Sequence, residues 1–302
     1  MIDISLRTLR YFVAAADHGN VTLAAQTLKV SQPSVSIAIA RVEKFFNAQL
    51  FVRQHSKGMA LTPAGTEVLR EARKLLAHAN DFSTGTAGHG RAVRGTLSIG
   101  CLTYIVPRYL PSILSGFLAR YEQTDVVFRD GDQTALIRGM ESGDFEAVLT
   151  YDLMLPRHLT VEPLLELQPY VLVTADHRLA KRRAIHLREI AEEPCALLNL
   201  PISHDYFATI FGTLGLTPNV RYRTISVEAV RSLVSNGLCF SILTLPSKTL
   251  TTYDGKRLAT LRLKDPLPPV RLISARLTDH KLRPIAQAFL AHTREFFRSR
   301  TN

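Results

Sequence analysis

Ser31-Gln32-Pro33-Ser34 places four residues suited to a helix start in a row, and Ser36 and Arg41 follow at helical spacing. Hydroxyls and an amide in a first turn can exchange hydrogen bonds with nucleotide base edges or phosphates. Arg41 would add a phosphate contact at the edge of the same face. Ser34, Ile37, Ala38 and Arg41 form the outward face, while Val35, Ile39, Val42 and Phe46 face inward. An ordinary surface helix would carry Lys and Glu outward; small, uncharged residues ending in Arg suit close approach to a groove. The alternative is a helix packed on another protein.

A second group of chemistry-bearing residues falls where strands give way to helices. Cys101-Leu102-Thr103-Tyr104 follows one apolar run, Asp130-Gly131-Asp132-Gln133 a second, Thr150-Tyr151-Asp152 a third, and Ser203-His204 opens a helix after Pro201. Thr103 and Ser203 would each bring a hydroxyl and free backbone N–H groups to a helix N-terminus, which suits a carboxylate. For each the plain alternative is a helix cap. Catalytic and metal constellations are not visible: there is no G-x-S-x-G elbow, H-E-x-x-H, Walker A loop or dinucleotide glycine fingerprint. The ten histidines lack metal-ligand spacing, and the three cysteines are far apart, with no C-x-x-C. We therefore expect no enzyme activity, no metal and no cofactor; a reducing cytosol fits the cysteine pattern.

The elements that position these groups are legible from periodicity. Leu6, Leu9, Phe12, Val13 and Ala16 predict a first helix that ends at Gly19. Asn20 caps a second, with Val21, Ala24, Ala25 and Leu28 inward, and Lys29-Val30 makes a tight turn into the third. Residues 51–62 read as two short strands around Ser56-Lys57-Gly58, a wing that carries Arg53 and Lys57 to neighbouring phosphates. Thr62-Pro63 starts a long helix whose Val68, Ala72, Leu75, Ala79 and Phe82 alternate four and three apart. That seam would pair two helices, or pack the helix on its own domain. Residues 83–90, with three glycines, read as a hinge. Beyond them strands and helices alternate, predicting parallel βαβ units in two lobes around a cleft. The final helix and the strand at Val270–Arg276 return to the first lobe.

The chain has 302 residues and a formal net charge of +11, with 46% hydrophobic and 21% charged residues. That length allows two or three domains, and the charge favours a polyanionic partner. The N-terminus shows no signal peptide, and no apolar run is long enough to span a bilayer. Both count against an exported solute-binding module, the reading the two-lobed half alone would suggest; an enzyme with a DNA-binding appendage is the other alternative.

With A-A-x-x-L, S-Q-P-S-V-S, L-F-x-R and L-T-P-A-G in that order, residues 6–65 resemble the DNA-binding half of LysR-type transcriptional regulators. G-T-L-S-I-G and V-S-N-G-L-C-F-S-I-L extend the resemblance, less specifically, into the rest. It implies an α/β multidomain protein: a winged helix-turn-helix over 1–62, a linker helix and hinge over 63–90, and a two-lobed effector domain over 91–302, like a periplasmic binding protein. Lobe I would hold about 91–163 and 269–302, lobe II about 164–268. It implies Gln32, Pro33, Ser34, Ser36, Arg41 and Arg53 at double-stranded DNA, and inducer binding at Thr103 and Ser203 in a cleft also bordered by Cys101, Leu102, Gln133, Thr150, Tyr151 and His204. It tips the helix seam towards a homodimer on an inverted-repeat operator, with a tetramer as a dimer of dimers. Many members carry a polar or basic residue where this chain has Ile37, which suits a thymine methyl.

Overall fold

The computed structural model describes residues 4–54, 58–85 and 93–300. At the N-terminus lie α1 (Leu6–His18), α2 (Val21–Leu28) and α3 (Gln32–Phe46), then a two-stranded wing of β1 (Phe51–Gln54) and β2 (Gly58–Leu61). Leu9, Phe12, Ala24, Ala25, Val35, Val42 and Leu50 form their core. The small Ala24–Ala25 pair is buried there, letting α2 sit close to its neighbours.

The long helix α4 (Pro63–Gly85) leaves this domain. Thr62 Oγ1 accepts from the Gly65 N–H at 2.9 Å, capping its start. The expected pairing seam divides. Val68 and Ala72 are buried in the core of the chain's own winged domain, together with Leu69. Leu75 is half exposed and Ala79 partly so; the Phe82 side chain lies outside the described residues, as does most of the expected hinge.

The C-terminal part begins with β3 (Gly95–Leu102), α5 (Val106–Arg120), β4 (Thr124–Gly131), α6 (Gln133–Glu141), β5 (Ala147–Tyr151) and β6 (Leu159–Leu167). It continues with β7 (Tyr170–Thr174), β8 (Ala184–Ile185), β9 (Pro194–Leu198), α7 (Pro201–Thr213), β10 (Asn219–Thr224), α8 (Val227–Ser235), β11 (Ser241–Leu243) and β12 (Leu258–Leu263). It ends with β13 (Val270–Leu277) and α9 (Pro284–Arg298). One sheet has the order β4-β3-β5-β13-β6; in the other lobe β11-β7-β12-β8 lies beside the pair β10-β9, joined through a bridge from Cys195 to Phe240.

The sheets are mixed, where the alternation of strands and helices predicts parallel ones. β3 runs parallel to β4 and β5, but β13 is antiparallel to β5 and β6. β6 pairs with β13 from Leu159 opposite Leu277 to Leu167 opposite Val270, so it belongs to the first lobe's sheet. The chain therefore crosses at Gln168-Pro169, later than the expected boundary at 164, and returns between β12 and β13. No described helix is long and apolar enough to cross a membrane.

Candidate functional site

The turns that join α1, α2 and α3 are built by caps. Gly19 ends α1 with φ of 57°, and Asn20 Oδ1 accepts from the N–H groups of Thr22 and Leu23 at 2.8 and 3.1 Å. Lys29 takes φ of 55° to close α2. Ser31 Oγ then accepts from the Ser34 N–H and lies 2.8 Å from Ser34 Oγ. Pro33 sits in the first turn, where its missing N–H loses nothing.

Along α3, Gln32, Pro33, Ser36, Ile37 and Arg41 are exposed, Ile37 to 55%. Among the described residues Arg41 has no acidic partner, so its charge is free for an anion. Three details differ from the expected helix. Ala38 is buried rather than outward, because the inner face is wide enough to take it beside Val35, Ile39 and Val42. Phe46 lies at the C-terminal end, exposed and edge-on to Phe45 at 5.0 Å, beyond the reach of the core. Ser34 is half buried, its hydroxyl engaged with the Ser31 cap.

Glu43 fixes the wing relative to α3: its Oε1 accepts from the Leu50 and Phe51 N–H groups at 2.8 and 3.3 Å. At the other strand, the Met59 N–H donates to the Gly19 carbonyl at 2.8 Å. Gly58, at φ of 85°, passes so close that a Cβ there would lie 2.4 Å from that same oxygen. Arg53 lies on β1 opposite Met59, but its side chain, like all of Lys57, lies outside the described residues.

Helix α4 ties this domain to the C-terminal part. The Arg73 guanidinium donates to the Ser142 carbonyl at 2.8 Å and pairs with both Asp17 of α1 and Asp144. Lys74 Nζ is 2.9 Å from Glu71 and 2.9 Å from His280 Nε2. A lysine only donates, so the ring accepts and is neutral. Burial first, then the charges of Lys74 and Arg70, hold the His280 pKa below its ordinary value. A cavity of about 480 Å³ separates α4 from the first lobe here.

A larger cavity, about 720 Å³, fills the cleft between the lobes. Thr103, Tyr104 and Arg108 line it from the start of α5, Tyr151 from β5, and Tyr170 from β7. Tyr206 and Phe207 of α7, Ser226, Glu228 and Arg231 at the start of α8, and Lys248 and Tyr253 complete the opposite side. Of the residues expected here, Thr103 and Tyr151 line the cavity. The Thr103 hydroxyl donates to Asp130 Oδ2 at 3.0 Å.

Cys101, Leu102, Gln133 and Thr150 are not among the lining residues: they are buried behind it. Both faces of this sheet are covered, so the neighbouring Cys101 and Leu102 are buried although they point opposite ways, and the Thr150 hydroxyl donates to Gln133 Oε1 of α6 at 3.1 Å. Gln133 Nε2 in turn donates to the Leu153 carbonyl, and Leu153 lines the cavity. Ser203 and His204 stand in the first turn of α7; their side chains lie outside the described residues.

Arg231 escaped the sequence reading. Its side chain is 3% exposed, and Nη2 donates to the Thr249 and Thr251 carbonyls at 3.1 and 2.9 Å. The signal was Ser226, whose Oγ caps α8 by accepting from the Ala229 N–H at 3.2 Å; Arg231 stands one turn beyond. Burial pushes the Tyr151 phenol up to about 12. It raises Tyr104 too, helped by Tyr151 and Asp132, so both remain neutral hydroxyls. The three cysteines are free and buried. No described group of His, Cys, Asp and Glu is arranged to hold a metal.

Two family models match the chain: the bacterial regulatory helix-turn-helix protein, lysR family, over residues 6–66, and the LysR substrate binding domain over 90–298. The crystal structure of HinK, a LysR family transcriptional regulator from Pseudomonas aeruginosa, is 34% identical, covering 98% of this chain and 99% of that one, with a TM-score of 0.66. A full-length OxyR variant from the same organism superposes with a TM-score of 0.72 at 20% identity, over 96% of this chain and 98% of that one, a likeness of fold. The HTH-type transcriptional regulator YnfL of Escherichia coli is 28% identical over 301 residues, 96% of this chain and 98% of its own.

Proposed function

The chain belongs to the LysR family of transcriptional regulators, and from that premise we propose how it reads DNA and what it senses. The winged domain binds DNA, and the two-lobed domain binds a small effector. The observation that carries the detailed reading is the outward face of α3. Gln32, Ser36, Ile37 and Arg41 are exposed on it, with no acidic residue among them. On this reading Gln32, Pro33, Ser34 and Ser36 meet base edges or phosphates, Ile37 meets a thymine methyl, and Arg41, Arg53 and Lys57 neutralise phosphates.

The exposed half of α4, around Leu75, is where a second copy would pair, giving two reading helices and an inverted-repeat operator. Dimers would join further into a tetramer. The effector, a carboxylate, would enter the 720 Å³ cleft, alter the disposition of the lobes, and shift the spacing of the paired DNA-binding domains. The protein acts on DNA in the cytoplasm and catalyses no reaction. Footprinting the DNA upstream of its own gene, with and without candidate carboxylates, tests this. Protection that changes with a carboxylate is expected; no protection under any condition would sink the regulatory reading. Gln32→Ala with Ser34→Ala should weaken specific binding more than non-specific binding, and equal loss would mean α3 presents a different face.

A further inference from the structure

Two described side-chain polar atoms are buried without a hydrogen-bond partner, the Tyr104 hydroxyl and Arg231 Nε. Both residues line the cavity between the lobes. Arg231 Nε lies 3.0 Å from Glu228 Oε1, an ion-pair distance, yet its N–H is not aimed in hydrogen-bond geometry. Native proteins rarely leave such groups unsatisfied, and each one calls for an explanation. Arg231 Nε can only donate and the Tyr104 hydroxyl can donate as well, so one acceptor group would satisfy both.

The charges around the cavity say what kind. Arg108, Arg231 and Lys248 line it against a single acid, Glu228, which is already engaged with Arg231. Among the described residues neither Arg108 nor Lys248 has an acidic partner. Arg108 instead donates to the Pro246 carbonyl at 3.4 Å and lies over the Tyr109 ring. A carboxylate supplies the acceptors and balances the surplus charge.

The walls say what the carboxylate is attached to. Six rings line the cavity: Tyr104, Tyr151, Tyr170, Tyr206, Phe207 and Tyr253. The chain has nine tyrosines, and more than half of them are gathered here. Rings of this number favour offset-stacked or edge-to-face contact with another ring. At about 720 Å³ the space suits a drug-sized ligand, and a one-ring acid would leave most of it to water.

We propose that the effector is an aromatic carboxylate of two or more rings, its ring system among the cleft tyrosines and its carboxylate on the Tyr104 hydroxyl and Arg231. This rests on reading the cleft as the effector site. It separates the protein from sensors of sugar phosphates or short aliphatic acids, which have no aromatic ring to stack against these walls.

The 302-residue chain provides its own reporter, since it contains no tryptophan and its emission comes from tyrosine. Naphthoate and quinoline carboxylate should quench that emission saturably and raise the unfolding temperature. Naphthalene methanol, with the same rings but no charge, should bind at least tenfold more weakly. Tyr104→Phe keeps the ring and removes only the orphan hydroxyl; it should weaken naphthoate about tenfold, the loss of one hydrogen bond to a charged group. The proposal is overturned if neither aromatic acid binds, or if the neutral alcohol binds as well as the acid. If succinate, hexanoate or a sugar bisphosphate instead stabilises the protein and alters its footprint, the aromatic class falls and the cleft remains an effector site. Aromatic-acid binding that ignores Tyr104→Phe places the ligand elsewhere and removes both.

Discussion

Gly65 gives the sharpest test of how α4 is seated. It is the third residue of that helix, and a Cβ added there would lie 2.1 Å from the Leu50 carbonyl oxygen and 2.9 Å from Leu61 Cδ2. The carbonyl cannot simply yield, because it accepts from the Thr62 N–H at 3.0 Å, and Thr62 itself caps the helix. Gly65→Ala must therefore push α4 outward by roughly 1 Å, loosening Val68, Leu69 and Ala72 from the core. Overpacking of this kind costs about 1–3 kcal/mol and a disrupted hydrogen bond about 1 kcal/mol, offset by about 0.5–1 kcal/mol of better helix propensity. The net expectation is a destabilisation of about 1–3 kcal/mol.

Gly212 is the control. It is an exposed residue inside α7, and a Cβ there meets nothing within 4 Å. Gly212→Ala should stabilise by about 0.5–1 kcal/mol through propensity alone. Urea unfolding of the two full-length variants, followed by far-UV circular dichroism, should move the midpoint in opposite directions. DNA affinity should fall only for Gly65→Ala. Equal shifts, or a stabilised Gly65→Ala, would refute the packing argument.

Three further outcomes follow from the geometry. Burial pushes Cys195 and Cys239 up to about 12 and 11, and raises Cys101 as well. At pH 8 all three are therefore thiols, so Ellman's reagent should label the native protein only as it unfolds; rapid labelling would contradict the burial. His280 has its pKa lowered in the fold, so the unfolded chain binds the proton more readily. Stability should be intact above the ordinary histidine value of 6.5 and fall as pH drops below it. His280→Gln should flatten that slope in unfolding temperatures measured from pH 7.5 to 5.5, and an unchanged slope would exclude this ring. Arg41→Ala should lower the salt dependence of DNA binding by about one unit with little change in sequence preference, whereas Ile37→Ala should relax preference at one base pair.

The winged domain was almost wholly legible because its signals are local: Asn20, Ser31 and Thr62 each cap a helix through bonds spanning two or three residues. Burial of Ala38 and Val68 was not, since it depends on which neighbour covers a face and periodicity names only the face. β6 escaped notice because Pro163 interrupts an alternating strand, and the structure accommodates it at a register shift against β13. β12 is short, and its antiparallel partner β7 lies more than eighty residues away. Around the cleft, strand ends located Thr103 and Tyr151, but inward and outward cannot be told from type alone. Thr150 therefore proved to be core, while Arg231 and most of the tyrosines came together only through the tertiary fold.

Helix α6 has nine residues and is about 13 Å long. At one end Gln133 holds the Leu153 carbonyl beneath the cleft; just past the other, Arg73 holds the Ser142 carbonyl and, through Asp17, the first helix of the winged domain. A rod pinned at both ends transmits displacement along its axis. Helix α6 thus joins a backbone group of the cleft wall to a guanidinium bonded to the winged domain, a continuous chain of contacts within a single copy of the protein.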